Sequence, residues 1–146
     1  LSIRRQRQMC IRDSSMTIVH SSASAAAALA KYDIKNATAI QVGDLYVFSG
    51  MTAIDLNTFE VSDGDIATQA RVTLENFGLI LADIGLSLDH VIKVNAHLTN
   101  VDDFSIWNEV FQDVFRPPYP CRTTVGAPLI VGQIEIEITA TTEPRV

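Results

Sequence analysis

Between residues 65 and 84 apolar side chains recur at Ile66, Ala70, Leu74, Phe77, Leu81 and Ile84, at spacings of four, four, three, four and three. Such spacing keeps returning to one side of a 3.6-residue turn, so it predicts a helix. Ser62, Asp63 or Asp65 is placed to cap its start and Gly85 to end it. From Val91 to Leu98 the pattern becomes an alternation, with Ile92, Val94, Ala96 and Leu98 on one side and Val91, Lys93, Asn95 and His97 on the other. A period of two predicts a strand with one dry face. A second helical stripe, Phe104, Trp107, Phe111 and Val114 or Phe115, follows the candidate caps Asp102 and Asp103 and stops at Pro117-Pro118. Upstream, Ala39 to Val42 and Leu45 to Ser49 flank Gly43-Asp44 as a hairpin that Gly50 ends. A short strand around Arg122 to Val125 and a long one from Gln133 to Thr142 complete the chain. Ser21 to Ala30 is mostly Ser and Ala, helical or disordered, and receives no function.

The order strand, strand, helix, strand, helix, strand, strand predicts an α+β domain, a mixed sheet with two helices on one face. In the last strand Ile134, Ile136, Ile138 and Ala140 are expected to meet the helices. Glu135, Glu137 and Thr139 then share the opposite face with Lys93, Asn95 and His97. A face this polar is either open to water or pressed against another subunit across a wet cavity. The subunit is favoured, because functional sites collect at such junctions.

Composition narrows the classes. With 146 residues, 47% hydrophobic and 19% charged, the chain is long enough for one domain with a core and too short for two. No apolar run approaches the ~20 residues that cross a bilayer, so no membrane partner is expected. Cys10 and Cys121 cannot form a disulfide framework, and no Cys/His cluster has metal-ligand spacing, so a reducing compartment and a metal-free site are the defaults. Residues 1–15 carry Arg4, Arg5, Arg7 and Arg12 against Asp13 and show no apolar periodicity. They are expected to be a non-native or disordered leader, with Met16 as the start of a single domain over 16–146. The competing reading is an organellar import segment, against which the missing apolar moment counts. The expected setting is cytoplasmic, or mitochondrial if the leader is native. Removing those four arginines and one aspartate takes the net charge from −6 to −9, a balance that repels nucleic-acid phosphates.

The candidate chemistry centres on Arg122. Its planar fork suits two-pronged capture of a carboxylate, and its charge does not titrate in the working pH range. With a carboxylate expected on the same polar face to move protons, such a cation suits a small acid gripped at one end and hydrolysed at the other. Cys121 is expected to be a small core residue on the other side of the strand, Trp107 and Phe111 to be core, and His90 and His97 to have no catalytic part.

Several segments carry a family resemblance: Val-Gly-Asp-Leu-Tyr-Val-Phe-Ser-Gly at 42 to 50, Gln69, Leu88-Asp89-His90-Val91, Asp103-Phe104 with Trp107-Asn108-Glu109-Val110-Phe111, Pro120-Cys121-Arg122-Thr123-Thr124-Val125, and Ile134-Glu135-Ile136-Glu137. In order and spacing, from Asn36 to Thr142, the chain resembles the Rid family of reactive intermediate deaminases, also called the YjgF family. The resemblance implies chorismate-mutase-like (bacillus-type) protomers in a homotrimer, with active sites at the subunit clefts. It also implies cofactor-independent hydrolysis of 2-imino acids such as 2-iminopropanoate and 2-iminobutanoate to 2-keto acids and ammonia. By family position Arg122 grips the substrate and Glu135 holds water and moves protons. Thr124 stands where many active members have Cys, Gly50 borders the substrate through its backbone, and Asn108 lines or supports the cleft. The bland alternatives are a solvated edge for Glu135 and Glu137, a β-former for Thr124, a strand terminator for Gly50 and a backbone-bonding role for Asn108.

The chain departs from the family's best-known pattern in two places. Asn36-Ala37-Thr38 replaces a Gly-Pro-Tyr-Ser approach to the first strand, with Tyr32 four residues early, and the Arg122 to Glu135 connection is about two residues shorter. These departures leave room for another subfamily, acting on another imine or an aminomuconate-type enamine. Two other classes stand beside it: a regulator that binds 2-keto acids without turnover, and a ribonuclease, against which the acidity argues.

Overall fold

The structure, a computed structural model, describes residues 16–146. The leader over 1–15 lies outside the described residues. Nine elements follow in order: β1 (Thr17–His20), α1 (Ala23–Lys31), β2 (Ala39–Val42), β3 (Leu45–Phe48), α2 (Ile66–Asp83), β4 (Val91–Leu98), α3 (Phe104–Val114), β5 (Cys121–Gly126) and β6 (Ile134–Thr141). The strands form one sheet in the order β1-β2-β3-β6-β4-β5. Its β4–β5 pair is parallel and the other pairs are antiparallel.

Where the periodicity was strong, the elements fall as expected. Asp65 caps α2 by accepting a hydrogen bond from the Thr68 N–H at 2.9 Å, which satisfies one of the helix's orphan donors. Gly43 takes φ of 60° in the β2–β3 hairpin, a backbone conformation that glycine adopts at no steric cost. Ile134, Ile136, Ile138 and Ala140 are buried beneath Leu74, Phe77, Leu81 and Trp107, forming the core between sheet and helices. Each large side chain so buried contributes roughly 1.5–3 kcal/mol of transfer free energy.

Three expectations need correction. The helix layer has three members, because α1 joins the other two. Ala25 and Ala28 are buried, and the Asp83 carboxylate at the end of α2 accepts from Ser22 Oγ at 2.5 Å and the Ser24 N–H at 2.9 Å. Those bonds hold the Asp83 carboxyl below the usual carboxylate range, the Ser22 hydroxyl contributing most. An alanine helix shows no apolar stripe to read, since alanine suits either side. Second, Val91 is buried although strict alternation put it on the polar side, since the β4–β6 register shifts between Val91 and Lys93 and turns its side chain inward. Third, Cys121 is exposed and is no core residue. It pairs with Lys93 on the outer face, while Arg122 and Thr124 pair with Val94 and Ala96 and point to the helix side.

The outer face keeps the polar set expected of it, with Asn95 Nδ2 donating to Glu137 Oε1 at 3.1 Å across the strands. Toward β1, β2 and β3 the same face becomes apolar. Val19, Ile40 and Val47, aligned by register, are 68%, 41% and 58% exposed, with Val42 and Leu45 beside them.

Candidate active site

The predicted residues form two clusters. In the first, β5 lays Arg122 along α3, with the guanidinium carbon 4.5 Å from the centre of the Phe111 ring and 5.3 Å from that of Phe104. The two rings and Asn108 share one side of α3 by their spacing of four and three, which places the half-buried Asn108 between the rings on the stripe Arg122 covers. Thr124 Oγ1 accepts from Trp107 Nε1 at 3.0 Å, tying β5 to α3 while leaving the hydroxyl proton free to donate. Among the described residues, Nη1 of Arg122 is buried without a hydrogen-bond partner. Leaving a buried donor unmatched costs about 1–3 kcal/mol, and more for a charged group. Burial without a nearby anion pushes the guanidinium pKa below its ordinary value, yet arginine stays cationic through the working range. The aromatic faces offset part of the lost hydration. An oxyanion at Nη1 would supply the missing partner.

The second cluster surrounds Glu135. A Cβ on residue 50 would stand 2.7 Å from Glu135 Oε1, so only glycine lets the carboxylate lie across the chain there. The backbone after Gly50 is pinned to β6, Met51 N–H donating to the Ile136 carbonyl at 2.8 Å and Ile136 N–H to the Met51 carbonyl at 2.9 Å. Gln69 fixes the approach to β6. Its Oε1 accepts from the Gln133 N–H at 2.8 Å, and its Nε2 donates to the carbonyls of Ser62 and Gly64 at 3.0 and 3.1 Å. Beside Glu135 and Gly50 opens a cavity of about 320 Å³ reaching between α1 and α2. Tyr32, displaced in sequence, borders this cavity together with Asn36, and its hydroxyl donates to the Phe59 carbonyl. Sequence reasoning missed both Gln69 as a positioning residue and Tyr32 as a wall. For Gln69 there was a signal, a polar residue beside Ala70 on the buried stripe of a helix.

The expectation that Arg122 and Glu135 share a face does not hold. Glu135 aligns with His97 on the outer face, and Arg122 aligns with Val94 on the helix side. With β4 between their strands at ~4.8 Å per step, and three residues at ~3.3 Å each between their partners His97 and Val94, the two backbone positions stand about 14 Å apart. Within one chain the two side chains diverge. His97, Lys93 and Asn95 lie on the outer face with Glu135. Among the described residues no three His, Cys, Asp or Glu side chains are grouped to hold a metal ion, and no helix is long and apolar enough to cross a membrane.

Comparison with known proteins places this geometry. Residues 22–143 match the family model described as Endoribonuclease L-PSP. The 2-iminobutanoate/2-iminopropanoate deaminase of Dermatophagoides farinae is 31% identical over 100 residues, 68% of this chain and 78% of that protein. The crystal structure of RidA from an Antarctic Psychrobacter matches with a TM-score of 0.69 and 35% identity, covering 73% of this chain and 88% of that one. The chain belongs to the Rid (YjgF) family. The protein mmf2, mitochondrial, of Schizosaccharomyces pombe is 40% identical over 107 residues, 70% of this chain and 83% of its own. The α+β architecture is therefore that of solved Rid structures, and of the residues quoted for the resemblance Asn108, Arg122 and Thr124 fall into the first cluster above and Gly50, Gln69 and Glu135 into the second.

Proposed function

We propose that this Rid protein hydrolyses reactive 2-imino acids, such as 2-iminopropanoate and 2-iminobutanoate, to 2-keto acids and ammonia, at sites assembled between copies of the chain. The observation that carries the reading is the buried, unpartnered Nη1 of Arg122, a cation prepared for a small carboxylate. Among the described residues, Glu135 is the only carboxylate lining the cavity at Gly50. Because the two groups diverge within a chain, one copy's Arg122 cluster serves the next copy's Glu135 cluster. The exposed apolar band of Val19, Ile40 and Val47 on the outer face is the kind of surface such assembly covers. A closed ring of three, the homotrimer the family resemblance implies, satisfies this head-to-tail geometry.

In this scheme Arg122 holds the substrate carboxylate. Glu135 takes a proton from a water that attacks the imine carbon, giving a carbinolamine. It returns that proton to nitrogen and then passes the carbinol hydroxyl proton to the same nitrogen, so that ammonia leaves as the C=O forms. The balance needs only water, with no cofactor. Thr124 and Asn108 border the arginine cluster and orient the bound acid. The net charge of −6 disfavours the endoribonuclease reading that the family model's description names. The name of the S. pombe relative supports a mitochondrial setting over a cytoplasmic one.

The test is ammonia release from 2-iminobutanoate generated in situ by threonine dehydratase. Wild type is expected to accelerate it, and Glu135→Gln to lower kcat by about 10²- to 10⁴-fold, the usual contribution of a positioned proton-transfer group. No acceleration by folded, oligomeric wild type would sink the reading. A second variant probes positioning. Gly50→Ala drives a methyl group into the Glu135 carboxylate and is expected to reduce kcat/KM by about 10²-fold, the scale of an ångström of misplacement. Its melting temperature should change little, and unaltered kinetics would show that Glu135 does not act from this position.

A further inference from the structure

The cavity beside Glu135 is much larger than a methyl or ethyl side chain needs. Its ~320 Å³ corresponds to the share of about ten waters at ~30 Å³ each, of which an ethyl group would fill about two. Its floor is Phe77 and Ile80, 0% and 1% exposed, and one wall is α1 through Ala25, Ala28 and Leu29. Three of the four hydroxyl side chains on its border are engaged, Thr52 being the fourth. Ser49 Oγ donates to the Ala37 carbonyl at 2.7 Å, Tyr32 donates to the Phe59 carbonyl, and Thr38 Oγ1 accepts from the Ser22 N–H at 3.0 Å. What faces the space is mostly hydrocarbon, with the Glu135 carboxylate, the Asn36 amide and the Thr52 hydroxyl as polar exceptions.

An imine carbon carries three groups. On the functional reading above, on which this inference rests, the carboxylate goes to Arg122 of the adjoining copy and the nitrogen and attacking water go to Glu135. The third group, the side chain, is left for the cavity. We infer that the preferred substrates are 2-imino acids with branched aliphatic or aromatic side chains, the products of oxidising bulky apolar amino acids, and that α1 sets this preference. A short side chain leaves apolar wall in contact with poorly held water. Each additional buried methylene improves binding by about fourfold. A hydroxyl or charged side chain is disfavoured there, because most of the wall is hydrocarbon and cannot replace its lost water.

The experiment measures binding and turnover separately. Calorimetric titration with 4-methyl-2-oxopentanoate and 2-oxobutanoate, the corresponding keto-acid products, is expected to give a Kd about 15-fold lower for the branched acid, from its two extra carbons. Imines made in situ by an amino-acid oxidase from leucine and from 2-aminobutyrate should show the same preference in kcat/KM. Ala28→Leu, which fills the cavity from α1, should reduce the branched-to-short ratio at least tenfold. Ile34→Trp, from an exposed position at the rim, should do the same if the first variant fails to fold. Equal affinity for the two keto acids, or a ratio unmoved by a folded filling variant, overturns the inference even if 2-iminobutanoate is hydrolysed. A branched-acid preference without turnover of any imine supports the pocket assignment and overturns only the catalytic reading.

Discussion

Replacing Arg122 by alanine is expected to lower kcat/KM for 2-iminobutanoate by about 10²- to 10⁴-fold, since two charge-assisted hydrogen bonds to a carboxylate contribute about 1.5–3 kcal/mol each. The same change should leave thermal stability nearly intact or raise it. In the free chain the guanidinium is partly desolvated, its Nη1 lacks a partner among the described residues, and only the Phe104 and Phe111 rings offset this. Kinetic loss with preserved melting temperature separates a substrate grip from a structural cation, whose removal would lower both. Arg122→Lys should recover only a small part of the rate, because an ammonium keeps the charge but neither forms the fork nor stacks on the two rings in the same way. Full activity in Arg122→Ala would remove the basis of the functional proposal.

The second large effect concerns where the two halves of a site come from. Arg122→Ala and Glu135→Gln homo-oligomers should each be nearly inactive. Unfolded together in equal amounts and refolded, they should recover about one quarter of wild-type activity. In a head-to-tail ring each site draws one half from each of two neighbours, so about one interface in four joins an intact Arg122 to an intact Glu135. Ammonia release before and after mixing reads this directly, with size-exclusion chromatography confirming assembly. If mixing recovers nothing although hetero-oligomers form, both groups act within one copy. β6 and β5 would then have to rearrange, because Glu135 and Arg122 leave opposite sides of the sheet. The apolar band over β1, β2 and β3 gives an independent handle. Its side chains are exposed in the free chain, and the proposal needs them covered in the active assembly.

Much of this molecule was legible in one dimension because strong periodicity maps onto a single face. The stripe from Ile66 to Leu81, the alternation of β6 and the cap at Asp65 each predict a local geometry that depends on few distant contacts. The ordered segments around Gly50, Asn108, Arg122 and Glu135 carried the family likewise. What the sequence by itself determined is thus the set of elements, the hydrophobic side of most of them and the family. Tertiary structure alone decided which way Arg122 points. The run Cys-Arg-Thr-Thr-Val has no apolar contrast to fix a face, so its facing follows from parallel pairing with β4. It also decided that alanine-rich α1 packs, through a carboxylate 59 residues away from Ser24, and that Val91 turns inward at a register shift. The approach of Gly50 to Glu135, and the cavity beside them, arise from segments 85 residues apart in the chain. Such proximities depend on long-range packing, which no local pattern records.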